Sequence, residues 1–233
     1  MIHAMLFAVI LMVFALPSFA QLYVGVQGGL SIASQSWDIK DQSVKPTLSS
    51  LIGITGGVMT RYNITRVFGI QGEVNYLRKG SHLTSTASQS GSTIERHTDM
   101  MFNYIEIPVM FAYTLPSDIP MVDLSILFGP SIGIVESARM KGYTTMSAFG
   151  QNTRVDFDDV ILKKDVRSPD ISITTGVGAN LRLNSTLSFM FTARYLFGLT
   201  NIIPDDASQT ALSINESVRN RTIIVMAGAA VKL

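Results

Sequence analysis

From residue 21 onward the chain returns again and again to a two-beat alternation of apolar with small or polar positions. Between Leu187 and Leu199 every odd position is apolar, while the even positions carry Ser188, Met190, Thr192, Arg194, Leu196 and Gly198. Period two is the signature of a β-strand with two different faces. The pattern predicts eight strands near 21–34, 50–63, 67–80, 99–115, 121–136, 170–183, 187–200 and 220–233. Each covers about 14 residues, against roughly 5–6 for an ordinary globular strand. A tilted strand crosses a bilayer in about 9–11.

Connections between these strands alternate in length. Asn63 to Arg66, Pro116 to Pro120 and Asn184 to Thr186 are short and rich in the residues tight turns favour. Long connections are expected near 35–49, 81–98, 137–169 and 201–219, and they hold most of the charge. Short turns on one side and long loops on the other are the plan of an outer-membrane barrel.

The decisive question is which face meets water. One set of positions is bulky and apolar, as in Leu22, Val24, Val26, Leu30 and Ile32, or Val122, Leu124, Ile126, Phe128, Ile132 and Ile134. The opposite set is small: Gly25, Gly29, Gly53, Gly57, Gly129, Ser131, Gly133, Ser172, Thr174, Gly176 and Gly178. An eight-stranded barrel has room inside only for side chains, so the small set belongs in the lumen and the apolar set faces lipid. The expected fold is all-β, an eight-stranded antiparallel up-and-down transmembrane β-barrel over residues 21–233. The alternative is a soluble periplasmic lipocalin-like barrel that points the apolar set inward to bind an apolar ligand. Tyr62, Phe68, Phe111 and Tyr113 near the short turns, with Tyr76, Tyr195 and Phe197 toward the long loops, fit two interfacial girdles.

Composition narrows the picture. Charged residues make up 15% of the chain and the net charge is +1, which is sparse for a water-exposed domain and gives no electrostatic footprint for nucleic acid. There is no cysteine, so disulfides and thiolate sites are excluded. Residues 1–20 read as a cleaved export signal, with an apolar run from Ile2 to Ala15 and small residues at Ser18 and Ala20 before Gln21.

Four segments carry a family resemblance. They are Glu73-Val74-Asn75-Tyr76-Leu77-Arg78-Lys79-Gly80, Asn103-Tyr104-Ile105-Glu106-Ile107-Pro108-Val109, Arg194-Tyr195-Leu196-Phe197-Gly198-Leu199-Thr200-Asn201-Ile202 and Asn220-Arg221-Thr222-Ile223. In this order they resemble the PorT-like outer-membrane β-barrel proteins of Gram-negative bacteria, over essentially all of 21–233. The resemblance implies an eight-stranded barrel in the cell outer membrane. It implies no single activity, although one branch of that family is tied to protein secretion.

Candidate chemistry is thin. Glu73, Glu106 and Arg194 fall on the inward face at similar counted heights, and buried charges need partners; they are expected to form one structural charge cluster in the lumen. A proton or ion path through it is the competing reading. Arg182 and Lys232 should sit lower, near the periplasmic mouth, and Met190, Leu196 and Met226 should add inward bulk. His82 and His97 would need a Ser or Asp neighbour to act in a barrel hydrolase, with Ser81, Ser85 and Asp99 near in sequence. Asp156, Asp158 and Asp159 could hold calcium or belong to a solvated mixed-charge loop with Arg154, Lys163, Lys164 and Arg167. Trp37 is either a partner contact or a loop anchor. No HExxH, P-loop or zinc spacing occurs. A non-enzymatic protein without catalytic residues, cofactor or metal is expected, with outer-membrane lipid as its surroundings. Other envelope or secretion proteins would be reached through the long loops.

Overall fold

The computed structural model describes residues 21–38, 47–89, 92–116, 119–148, 151–161, 166–203 and 217–233; the expected export signal lies outside them. The described residues form nine antiparallel strands: β1 (Gln21–Asp38), β2 (Thr47–Asn63), β3 (Phe68–Gln89), β4 (Ser92–Leu115), β5 (Val122–Ala148), β6 (Gln151–Ile161), β7 (Asp170–Arg182), β8 (Leu187–Gly198) and β9 (Ser217–Lys232). Eight of them close a ring in the order β4-β3-β2-β1-β9-β8-β7-β5, sealed by the β4–β5 pairing. Every neighbour in the ring is antiparallel, so the barrel is up-and-down.

Closure answers the problem of unpaired strand edges. The short turns supply the reversals with local side-chain bonds. Thr65 Oγ1 accepts from Phe68 N at 2.9 Å, and Asn184 Oδ1 accepts from Thr186 N and Leu187 N at 2.8 and 2.7 Å. These are the Asx and Ser/Thr turns that the sequence composition favours there.

The alternation sorts the two faces as expected. Val26, Ile52 and Phe111 are 62, 69 and 68% exposed, while the inward Ser31, Leu77 and Met110 are fully buried. Near the short turns the rings of Phe68 and Tyr113 lie 5.2 Å apart on the outer face. Toward the other end the Arg221 guanidinium covers the Phe197 ring at 3.6 Å, an arrangement that lets a cation reach the headgroup level. Outward apolar residues at this density would aggregate in water; the lipocalin-like alternative, with its apolar set inside, does not describe this molecule.

Two expected long loops are largely strand. β3 and β4 continue together until Gln89 pairs Ser92, and β5 runs on until Ala148 pairs Gln151 of β6. Pairing of β5 with β7 stops at Gly133–Asp170, beyond which β6 takes its place against Ala138–Ala148. A four-stranded sheet, β3-β4-β5-β6, therefore stands above the ring. β2 accompanies β3 as far as Thr84, and from Ser85 to Gln89 the sheet runs on without it for about 13 Å. Gly80, at φ +146°, lies at the register shift between β2 and β3; a Cβ there would fall 1.9 Å from the Met100 carbonyl oxygen, so this close backbone approach requires glycine.

Candidate functional site

The lumen is stacked in layers that can be read along β3, where Glu73, Asn75, Leu77 and Lys79 point inward in turn. Near the short turns Met110, Ala112 and Leu127 form an apolar floor, and Met110 Sδ lies 3.8 Å from Arg194 Nη1. The next layer is an ion pair: Arg194 Nη1 donates to Glu73 Oε2 at 2.7 Å, with both side chains almost fully buried. Glu73 also accepts from Gln27, Gln71 and Asn75 at 2.7, 2.6 and 2.7 Å. The carboxylate is thus held by one cation and three neutral amides, which is the satisfaction a buried charge requires.

Leu77, Leu196, Ile224 and Met226 pack above this pair. A second ionic layer follows. Lys79 Nζ lies 2.9 Å from Glu106 Oε2 and 3.0 Å from Asp170 Oδ2, and these three side chains are 1, 2 and 0% exposed. Ser131 and Ser172 donate to Glu106, and Asn220 Nδ2 donates to Asp170 at 2.9 Å. The Tyr104 ring lies under the Lys79 ammonium at 4.4 Å, adding a desolvated cation–π contact. Above it all, Met100, Phe102, Val135, Ala138, Val166, Ile202, Ile203 and Val218 form an apolar cap.

The structure thus brings Glu73 and Arg194 together and gives Glu106 to a different group. Glu106 stands opposite Asn75, two residues beyond Glu73 on the paired strand. The stagger of neighbouring strands in a closed barrel moves it into reach of Lys79. Lys79 and Asp170 escaped the sequence reading. Each shares the phase of its strand's inward set, and that phase could have found them.

The remaining candidates scatter. Leu196 and Met226 are buried inward and Met190 is half-buried. Arg182 pairs with Asp123 at 3.3 Å by the short-turn mouth. His82 contacts Asp99, and His97 lies 2.9 Å from Glu95 and 3.2 Å from Thr84. Strand alternation turns Ser81 and Ser85 to the face opposite His82, and Ser81 donates instead to Gln35 at 2.8 Å. On β6, Asp156 pairs with Arg154 at 2.9 Å and Asp158 with Arg139 at 2.8 Å. Asp159 points to the other face, so the three aspartates do not converge on a cation. Lys163 and Lys164 lie outside the described residues. Trp37 packs against the apolar cap as an anchor.

A closed ring of long strands with an apolar exterior and a polar, filled interior defines an integral outer-membrane β-barrel. The chain belongs to the outer membrane protein β-barrel domain family, whose model matches residues 19–204; its place is the cell outer membrane, surrounded by lipid. Among curated proteins none matches the sequence. In structure it is similar to Ail, the attachment invasion locus protein of Yersinia pestis, at 15% identity and TM-score 0.37, covering 91% of this chain and 98% of that one. It is also similar to the outer membrane protein OprG from Pseudomonas aeruginosa, at 14% identity and TM-score 0.49, covering 92% and 97%. For Neisserial surface protein A the values are 13% and 0.43, covering 92% and 99%.

Proposed function

We propose that this protein is a PorT-like outer-membrane barrel with a closed lumen that works at the cell surface. Its ring is an anchor, and the sheet of β3 to β6 is the part offered to other envelope, secretion or extracellular macromolecules. Residues 1–20 act as the export signal, the three short turns face the periplasm, and Glu73, Arg194, Glu106, Lys79 and Asp170 close the lumen. The carrying observation is the contrast between a stoppered interior and a rigid sheet standing beyond the ring. A barrel filled by its own side chains has little left to transport, while the sheet presents charged and polar groups on one face and the exposed apolar Ile94, Met146 and Val155 on the other. On its outer face His97, Asp99, Lys141, Tyr143, Arg154 and Asp156 border an open groove of about 350 Å³. There the Arg154 guanidinium stacks on Tyr143 at 3.8 Å.

The absence of cysteine makes topology directly testable. In intact cells a Thr153→Cys variant is expected to react with a membrane-impermeant maleimide, whereas Thr65→Cys should react only after the outer membrane is permeabilised. The opposite pattern would invert the orientation. A photo-crosslinking residue at Tyr143 or Arg154 is expected to give discrete adducts in living cells that the same residue at Thr65 does not give. No adduct from either surface position would count against a surface-interaction role.

A further inference from the structure

We propose that the short-turn mouth of the barrel is a binding site for a compact polyanion bearing phosphate or carboxylate groups. A cavity of about 400 Å³ opens there, with Tyr23, Arg61, Arg66, Asp123, Asn180 and Arg182 on its walls. Met59 and Met190 also line it, and Met59 is only 2% exposed, so a ligand can enter but finds apolar floor rather than a passage. A second depression of about 360 Å³ adjoins it through Tyr23 and Arg182 and adds Lys232.

The charge here is unlike the rest of the lumen. Farther in, cations meet carboxylates directly, as Arg194 does Glu73 and Lys79 does Glu106 and Asp170. At the mouth, Arg61, Arg182 and Lys232 line the two depressions with one side-chain carboxylate among the described residues, Asp123, which is paired with Arg182. Arg61 bonds neutral groups, donating to Asn63 Oδ1 at 3.0 Å and Thr114 Oγ1 at 2.8 Å. Among the described residues no carboxylate side chain forms an ion pair with Arg61 or Lys232.

Strand phase says where these cations point. Arg61 alternates with Thr60 and Tyr62, and Arg182 with the lipid-side Leu181 and Leu183, so both arginines face the lumen rather than the headgroups of the surrounding leaflet. An excess of one sign of charge in a cleft with low-dielectric walls focuses the field and concentrates counter-ions. Arg61 and Arg182 are planar forks suited to bidentate contact with phosphate or carboxylate, and Lys232 adds a flexible point charge.

The test uses the purified full-length barrel in detergent micelles, titrated calorimetrically with pyrophosphate and, separately, with citrate. Saturable binding of at least one, tightening as salt is lowered, is expected; which of the two binds better names the anionic group. Arg61→Gln and Lys232→Gln should each weaken that binding by about tenfold or more, the loss of a charge-assisted contact. Arg139→Gln, at the opposite end, should leave it unchanged. Lys232 lies at the rim, so its variant remains informative if Arg61→Gln fails to fold. No binding of either anion, or binding indifferent to Lys232→Gln, would overturn the site. The proposal requires the barrel alone, so these results stand apart from the crosslinking that tests the surface role.

Discussion

Replacing Lys79 with methionine is expected to lower the unfolding free energy of the barrel by about 3–5 kcal/mol. Methionine nearly matches the length of the lysine stem, so the change removes charge rather than volume. What remains is two carboxylates, Glu106 and Asp170, at 2 and 0% exposure with no cation between them. Serine and asparagine donors to each carboxylate persist, but neutral hydrogen bonds cannot offset two like charges held close in a medium of low dielectric. Urea unfolding in lipid vesicles, followed through the single tryptophan, Trp37, measures the loss. Because Trp37 packs on the apolar cap next to this layer, its fluorescence reports the right region. The triple variant Lys79→Met, Glu106→Gln, Asp170→Asn should recover most of the stability, since removing all partners of a buried ionic group costs far less than removing one. A single variant within experimental error of the wild type would mean that the trio is not desolvated.

Arg194→Ala follows the same logic one layer nearer the short turns. A loss of about 3–5 kcal/mol is expected, at the lower end of that range, for a reason visible in the geometry. Glu73 keeps the amide groups of Gln27, Gln71 and Asn75 when the guanidinium is gone, and only one carboxylate is left unpaired. The alanine also leaves a void against Met110 and beside Leu196 and Met226, which adds a cavity cost. A double-mutant cycle with Glu73→Gln separates the two contributions. The charge part should vanish in the double variant, and the void part should persist. An Arg194→Ala barrel that unfolds at the wild-type urea concentration would remove the ion pair from the list of stabilising contacts.

Most of the barrel could be read from the chain because lipid and lumen impose opposite demands on alternate residues. Wherever one face is apolar and the other small, as along β5 from Leu124 to Ile134, the strand announces itself and its phase. The same phase turns Glu73, Glu106 and Arg194 inward, and all three are buried. It could not say which of them meet, because counting residues from each turn ignores the stagger between neighbours, and Glu106 pairs across from Asn75. Lys79 lies inside the strand expected over 67–80 and continues the series Glu73, Asn75, Leu77, but at the strand's end, beside Arg78, its charge does not stand out as a lumen group. Asp170 is the first residue of its strand, expected and observed, and next to the charged connection that ends at 169 its inward phase is easily overlooked. The projecting sheet was missed for a different reason. Outside the membrane both of its faces meet water, so Ser85 to Gln89 shows no apolar stripe and Gln151 to Asp159 only the pair Val155 and Phe157, too little for period-two hydrophobicity to register.

Single-channel recording of the purified chain in a planar bilayer tests the closed lumen most directly. The proposed closure rests on two ionic layers and three apolar layers stacked inside an eight-stranded ring. The expected record is a quiet baseline with no steady conductance at either polarity. Large, stable currents from the monomer would contradict it.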